Sequence, residues 1–211
     1  MGIQLWQSLE PQTGDVADEK PDNKAITWQQ LEQAVSDCSK CGLYKTRTQT
    51  VFGVGNRDAE LLIIGEAPGR DEDLQGEPFV GRAGQLLNAM LAAIGFQREQ
   101  VYIANILKCR PPNNRDPRAE EAAACDPWLR QQIELIQPDV ILALGRIAAH
   151  HLLNTDRSLG ALRGKQHQYA GIPLIVSYHP AYLLRKPIEK RKSWQDLKSI
   201  KSLLDTDGRP T

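Results

Sequence analysis

"ELLIIGEAPGRDEDLQGEPFVGRAG", residues 60–84, decides the fold. Its opening reads as a buried strand, with four consecutive apolar side chains closing on Gly65. From Gly65 onward it crowds five glycines among five acidic side chains. Phe79 and Val80 stand in the middle of that polar run. A plain connecting loop needs no such content. The chain continues as "RAGQLLNAMLAAIGF" (82–96), an amphipathic helix with Gly95 near its C-terminus. A strand, a loaded loop and a helix therefore follow one another directly.

The same unit recurs along the chain. "VYIANIL" (101–107), "PDVILALG" (138–145) and "IPLIVSYHP" (172–180) read as three more strands, the last ending at His179. Helical patterns separate them: "PRAEEAAACDPWLRQQIELI" (117–136), in which Pro127 must start a new segment or kink the first, and "RIAAHHLL" (146–153). Thr27 can cap a helix through "WQQLEQAVSDCS", and Ser193 can cap a final one, "SWQDLKSIKSLL". Alternating strands and helices predict a parallel sheet covered on both faces. In such folds ligands bind at the carboxyl ends of the strands.

Those ends carry the chemistry. The first strand ends in Gly65, Glu66, Ala67, Pro68 and Gly69, the second in Asn105, the third in Leu144 and Gly145, and the fourth in Ser177, Tyr178 and His179. Taken singly, each has a structural reading: Glu66 as a cap, Asn105 as a turn residue, His179 as a satisfied histidine and Phe79 as core. Their common placement favours one pocket holding a carboxylate, an amide, an imidazole and an aromatic ring. His150, His151 and His167 lack that placement and are read as structural or surface. The loop is not a nucleotide cradle, because it has neither a G-x-G-x-x-G nor a P-loop pattern, and its acids would repel phosphates.

Hydrophobic residues make up 41% of the 211, enough for one core. No apolar run is long enough to cross a bilayer, and no signal peptide is apparent, so a cytoplasmic protein without membrane contact is expected. Net charge is zero, but residues 1–40 carry seven acids against three bases, and residues 179–211 eight bases against four acids. Residues 1–24 read as an acidic tail and residues 25–211 as a single domain. The basic end is either a solvated helix or a face for an acidic polymer. The four cysteines are Cys38, Cys41, Cys109 and Cys125, spaced C-x2-C, 67 residues, then C-x15-C. The close pair is a metal-ligand spacing, and four thiolates suit zinc or an iron–sulfur cluster alike.

"GEAPG", "GEPFVGRAGQLL", "YIANILKCRPPNNRDP" and "SYHPAYLLR", with the four cysteines in this order, closely resemble the family 4 uracil-DNA glycosylases of bacteria and archaea. The resemblance runs from about Ala25 to Leu204 and leaves the acidic tail outside. It implies a three-layer α/β/α sandwich with a central four-stranded parallel sheet. The implied activity is removal of uracil from single- or double-stranded DNA, leaving an abasic site and cutting no strand, by a monomer. Glu66 would act on the hydrolytic water or support the transition state, and His179 would stabilise charge on the departing base. Gly65, Ala67, Glu72, Phe79 and Asn105 would form the base pocket. Phe79 would stack, Asn105 would read the polar edge, and Glu72 would help to exclude thymine. Cys38, Cys41, Cys109 and Cys125 would hold a [4Fe–4S] cluster. Arg110, Arg115, Arg185 and Lys186 would contact DNA, and Arg118, Lys190, Arg191 and Lys192 could add phosphate contacts.

This agrees with elementary chemistry. A base inside a duplex must be extruded before its glycosidic bond can be reached. The pocket then needs a flat ring and a group with both donor and acceptor. A related group of enzymes bonds covalently to DNA through a histidine in an inserted basic loop. The run from Gly76 to Leu87 has neither insertion nor histidine, so ordinary turnover is expected. Three rivals compete: a DNA-binding module without catalysis, a glycosylase that also takes hypoxanthine or xanthine, and a zinc hydrolase, which four cysteine ligands would leave without an open metal position.

Overall fold

A computed structural model describes residues 26–206; the acidic segment 1–24 lies outside them. The strands are β1 (Val54–Gly55), β2 (Leu61–Gly65), β3 (Tyr102–Asn105), β4 (Val140–Leu144), β5 (Gln166–Tyr169) and β6 (Ile172–Ser177). They form one sheet in the order β1-β3-β2-β4-β6-β5. The inner four are parallel, and β1 and β5 close the two edges antiparallel. The helices are α1 (Trp28–Ser36), α2 (Arg70–Gln75), α3 (Arg82–Ala92), α4 (Ala119–Ile136), α5 (Arg146–Leu153), α6 (Leu159–Leu162), α7 (Pro180–Arg185) and α8 (Lys190–Thr206).

The "LLII" run shows why three layers form. Side chains alternate across a strand, so Leu61 and Ile63 face one side, with Leu87, Leu91 and Ile94 at the end of α3 and Leu197 and Ile200 of α8. Leu62 and Ile64 face the other, with Leu31 of α1, Leu129 and Ile133 of α4 and Ala148 of α5. All four are fully buried. At about 1.5 to 3 kcal/mol for each buried aliphatic side chain, this one strand anchors both cores.

Register then builds the site. Gly65 pairs with Asn105 across β2 and β3, and Leu144 with Ser177 across β4 and β6. From β2 the chain moves outward to β3, then returns across the sheet to β4. The crevice at this reversal is where open parallel sheets bind ligands.

The expected central four-stranded parallel sheet is present, and the structure differs from expectation at four finer points. The sheet gains two antiparallel edge strands. β1 is too short to show a pattern, and "QHQY" of β5 is polar, joined to β6 by a two-residue turn with positive φ at Ala170 and Gly171. Pro127 starts no new segment: α4 runs through it, with Cys125, Trp128, Leu129, Gln132, Ile133 and Ile136 buried along the helix. β6 stops at Ser177, and His179 instead caps the N-terminus of α7. Ser193 caps nothing: α8 begins at Lys190, and Ser193 lies buried in its first turn. Thr27 does cap α1, accepting from the Gln30 N–H at 3.2 Å while Gln30 accepts from the Thr27 N–H at 2.9 Å.

Helix α8 is bolted to the sheet by a buried ion pair. Asp196 accepts from Arg163 at 2.6 and 2.9 Å and from the Ser177 hydroxyl at 2.7 Å. Its side chain is 1% exposed and that of Arg163 is 9% exposed. Replacing Asp196 with Ala would strand the guanidinium. We expect a loss of about 3 to 5 kcal/mol in denaturant unfolding; a loss below about 1 kcal/mol, the scale of an exposed pair, would contradict this role.

Candidate active site and cysteine cluster

An open cleft of about 480 Å³ lies outside the strand ends and is lined by Glu66, Ala67, Glu72, Phe79, Asn105, Arg115, His179 and Arg185, with Asp116 and Tyr182 beside them. The structure thus brings together most of the residues expected from sequence. Gly65 lies directly beneath. Arg110 and Lys186 are not among the lining residues. Arg110 instead donates to Asn114 Oδ1 at 2.6 Å, and Lys186 is exposed.

Asn105 is only 2% exposed, yet it lines the cleft, and its side-chain Oδ1 stands at the corner beside Gly65. A carboxamide at a cleft wall offers a ligand both a donor and an acceptor. Gly65 explains how it fits. A Cβ at residue 65 would stand 2.4 Å from Asn105 Oδ1 and 2.7 Å from Phe79 Cζ. Only a residue without a side chain lets the amide and the ring share that corner.

The Phe79 ring stacks on the His179 imidazole, with centroids 5.4 Å apart and planes 29° apart. Phe79 has φ +55°, a left-handed conformation that few bulky residues adopt. The surrounding backbone is held on both sides. Arg98 donates to the Pro78 and Phe79 carbonyls at 2.5 and 3.4 Å. Glu72 accepts from the N–H groups of Gly69, Val80 and Gly81 at 3.1 to 3.3 Å. Glu72 therefore acts at the pocket through the loop it organises as well as through its own place on the wall.

His179 Nδ1 accepts from the Ala181 N–H at 3.2 Å. Burial, with Arg185 adding to it, pushes its pKa down to about 4. The ring is therefore neutral, and its proton sits on Nε2, a donor. Glu66 is shifted the other way. Burial, reinforced by Asp116 and opposed by Arg146, raises its carboxyl to about 7. Asp116 and Arg146 themselves pair at 2.8 Å. Arg115 makes a two-pronged pair with Glu121 at 2.6 and 2.8 Å, so its charge is partly matched within the chain.

All four cysteines line a second pocket, beneath α1 and α4. Among the described residues no three His, Cys, Asp or Glu side chains close around a single metal ion. Four cysteines nonetheless line this one pocket, with Lys40, Arg47 and Lys108 beside them. Arg47 donates to Cys109 Sγ at 3.2 Å, and the Lys108 backbone N–H donates to Cys125 Sγ at 3.3 Å. Burial raises the Cys125 thiol to about 11 and Cys109 upward as well, so bare thiolates are unfavourable there until a metal centre supplies positive charge.

Several positioning groups gave no sequence signal. Arg98 sits in a polar turn between two elements, and Asp116 and Arg146 are far apart in the chain. Asp73 reads as one acid among several, yet it is 3% exposed and accepts from the Thr48 N–H and hydroxyl at 2.9 and 2.8 Å. Nothing in the sequence singled out Arg47.

Residues 52–198 match the sequence pattern of the uracil-DNA glycosylase superfamily, the class that this fold and cleft define. The chain is 48% identical over 181 residues to a type-4 uracil-DNA glycosylase of Archaeoglobus fulgidus, covering 82% of this chain and 91% of that protein. It is 43% identical over 182 residues to that of Thermotoga maritima, covering 84% and 95%, and 41% identical over 192 residues to that of Sulfurisphaera tokodaii, covering 87% of each. The chain belongs to the type-4 uracil-DNA glycosylase family.

The corner at residue 65 yields a test. Gly65→Ala should displace Asn105 and Phe79 and lower kcat/KM for uracil cleavage by about 100-fold, the scale of a misplacement near 1 Å. A variant with parental kcat/KM would show that the corner is not essential.

Proposed function

We propose that this protein excises uracil from DNA by hydrolysis, leaving an abasic site in base excision repair. The observation that carries the reading is the strand-end corner at Gly65, where the Asn105 amide and the Phe79 ring, itself stacked on His179, line one cleft. An extruded uracil would slide against Phe79. The Asn105 amide would donate to one base oxygen and accept from the ring N–H, pairing with a polar edge that presents both. As the glycosidic bond lengthens, negative charge grows on the base and positive charge on the sugar. His179 Nε2–H, already neutral and fixed, would donate to the oxygen gaining charge without first losing a proton. Glu66, as a carboxylate, would orient water and stabilise the cationic sugar. Arg185 at the cleft mouth, with Lys186, Lys190 and Arg191 on the adjoining surface, would hold phosphates without regard to sequence. Arg110 and Arg115 would extend that hold across the other side.

The same proposal places a [4Fe–4S] cluster on Cys38, Cys41, Cys109 and Cys125. A bound cluster would tie α1, the strand-end segment after β3 and α4 into one piece. Four reduced thiols suit a cytoplasmic setting. Among the described residues no helix is long and apolar enough to cross a membrane. The monomeric state belongs to this proposal too.

Two measurements test the reading. Because Glu66 titrates near 7 and acts ionised, kcat/KM on a uracil-containing oligonucleotide should rise with pH through about 7 and then level. His179 loses its neutral form only near 4 and sets no limit in that range. Glu66 should move stability in the opposite direction. Its raised folded pKa favours the protonated form, so its contribution declines as pH climbs from 4.5 toward about 7. Glu66→Gln should flatten the profile and cut the rate by about 100-fold or more; an unchanged profile would remove Glu66 from the mechanism. Separately, purified protein should be brown and hold about four iron atoms, and Cys125→Ser should bleach it. A colourless protein with stoichiometric zinc would overturn the cluster.

A further inference from the structure

Arg98 lies outside the cleft, on the turn between α3 and β3, and is not among the lining residues. It touches neither Glu66 nor His179. Its side chain instead runs to the back of the loop that carries Phe79. One nitrogen donates to the Pro78 carbonyl at 2.5 Å, and the other to the Phe79 carbonyl at 3.4 Å. The latter nitrogen also donates to Asn88 Oδ1 at 3.2 Å, which ties the guanidinium to α3.

Those two carbonyls flank the strained residue. Phe79 holds φ +55° and is 6% exposed. A left-handed conformation at a bulky residue persists only when its surroundings over-determine it. The surroundings here are three. Glu72 fixes the N–H groups just after Phe79. At Gly84, a Cβ would fall 1.7 Å from the Phe79 carbonyl oxygen, so α3 reaches the loop only because residue 84 has no side chain. Arg98 fixes the carbonyls just before and at Phe79. A lysine offers a point charge and cannot span two carbonyls and an amide with a rigid planar fork.

We propose that Arg98 is a positioning residue for the base platform: it holds Phe79 in its left-handed conformation, so that the ring faces both the base and His179. This rests on the reading of Phe79 as the surface on which the base stacks. Among the described residues, no other side chain is bonded to these two carbonyls. Glu72 acts on N–H groups and Gly84 only makes room, so the carbonyl side of the loop depends on Arg98.

The test is a double-mutant cycle on the full chain, read by single-turnover cleavage of a uracil-containing oligonucleotide. Arg98→Met should lose roughly 10- to 100-fold in rate. Its melting temperature and its affinity for a uracil-free oligonucleotide should stay near parental values. In a Phe79→Ala background the same substitution should change the rate by less than about twofold, the margin of simple additivity. Arg98→Lys should fall between parent and Arg98→Met, and it carries the same cycle if the methionine variant does not fold. Equal losses in both backgrounds would show that Arg98 does not act through Phe79, as would a parental rate in Arg98→Met. A parent that fails to cleave uracil would overturn the glycosylase reading instead, which separates the two failures.

Discussion

The cleft depends on a side chain that is not there. Residue 65 ends the central strand, and its neighbours in register and in the loop are the two groups that would touch a base. Any Cβ would occupy the space of the Asn105 carboxamide and the Phe79 ring. The parallel pairing of Gly65 with Asn105 brings the amide to this corner, and the loop after α2 returns the ring to it. The site is thus a packing solution at a strand end, backed by a sheet whose core residues are fully buried.

Electrostatics finish what packing starts. Two titratable groups in one cleft are driven in opposite directions by the same desolvation, because burial disfavours whichever form is charged. The carboxyl of Glu66 rises and the imidazole of His179 falls. Acid–base roles are commonly separated by such divergence. The Asp116–Arg146 pair beside Glu66 has members that pull its pKa in opposite senses, so burial remains the larger influence.

The sequence disclosed the parts of this arrangement that rest on local pattern. "LLII" and "VILAL" are continuous apolar runs bounded by turn residues, and strands covered on both faces read that way. Glu66, Asn105 and His179 were visible because each stands at or within two residues of a strand's carboxyl end, and parallel strands align their ends. The C-x2-C spacing marked two of the ligand candidates, and family resemblance linked the other two. Contacts between distant segments stayed hidden. Nothing in "RDP" and "GRI" announces that Asp116 and Arg146 meet, and Thr48 gives no hint of Asp73. Pro127 misled because helix propensity is local, whereas the burial of α4 along its length is not. β5 was missed because an edge strand needs only one neighbour and carries no apolar run.

Thr48 and Asp73 join two separate parts of the molecule. The segment from Arg47 to Gln49 leaves the cysteine site and runs straight to the base wall, where Asp73 grips Thr48 and Gln49 reaches the Leu74 carbonyl at 2.8 Å. The wall therefore has no free length in which to melt by itself. Its ordering is completed during folding, so binding a base incurs little further loss of loop entropy. Heating such a molecule would preserve the wall until the cysteine-bearing segment also lets go, and the two would unravel as one cooperative unit.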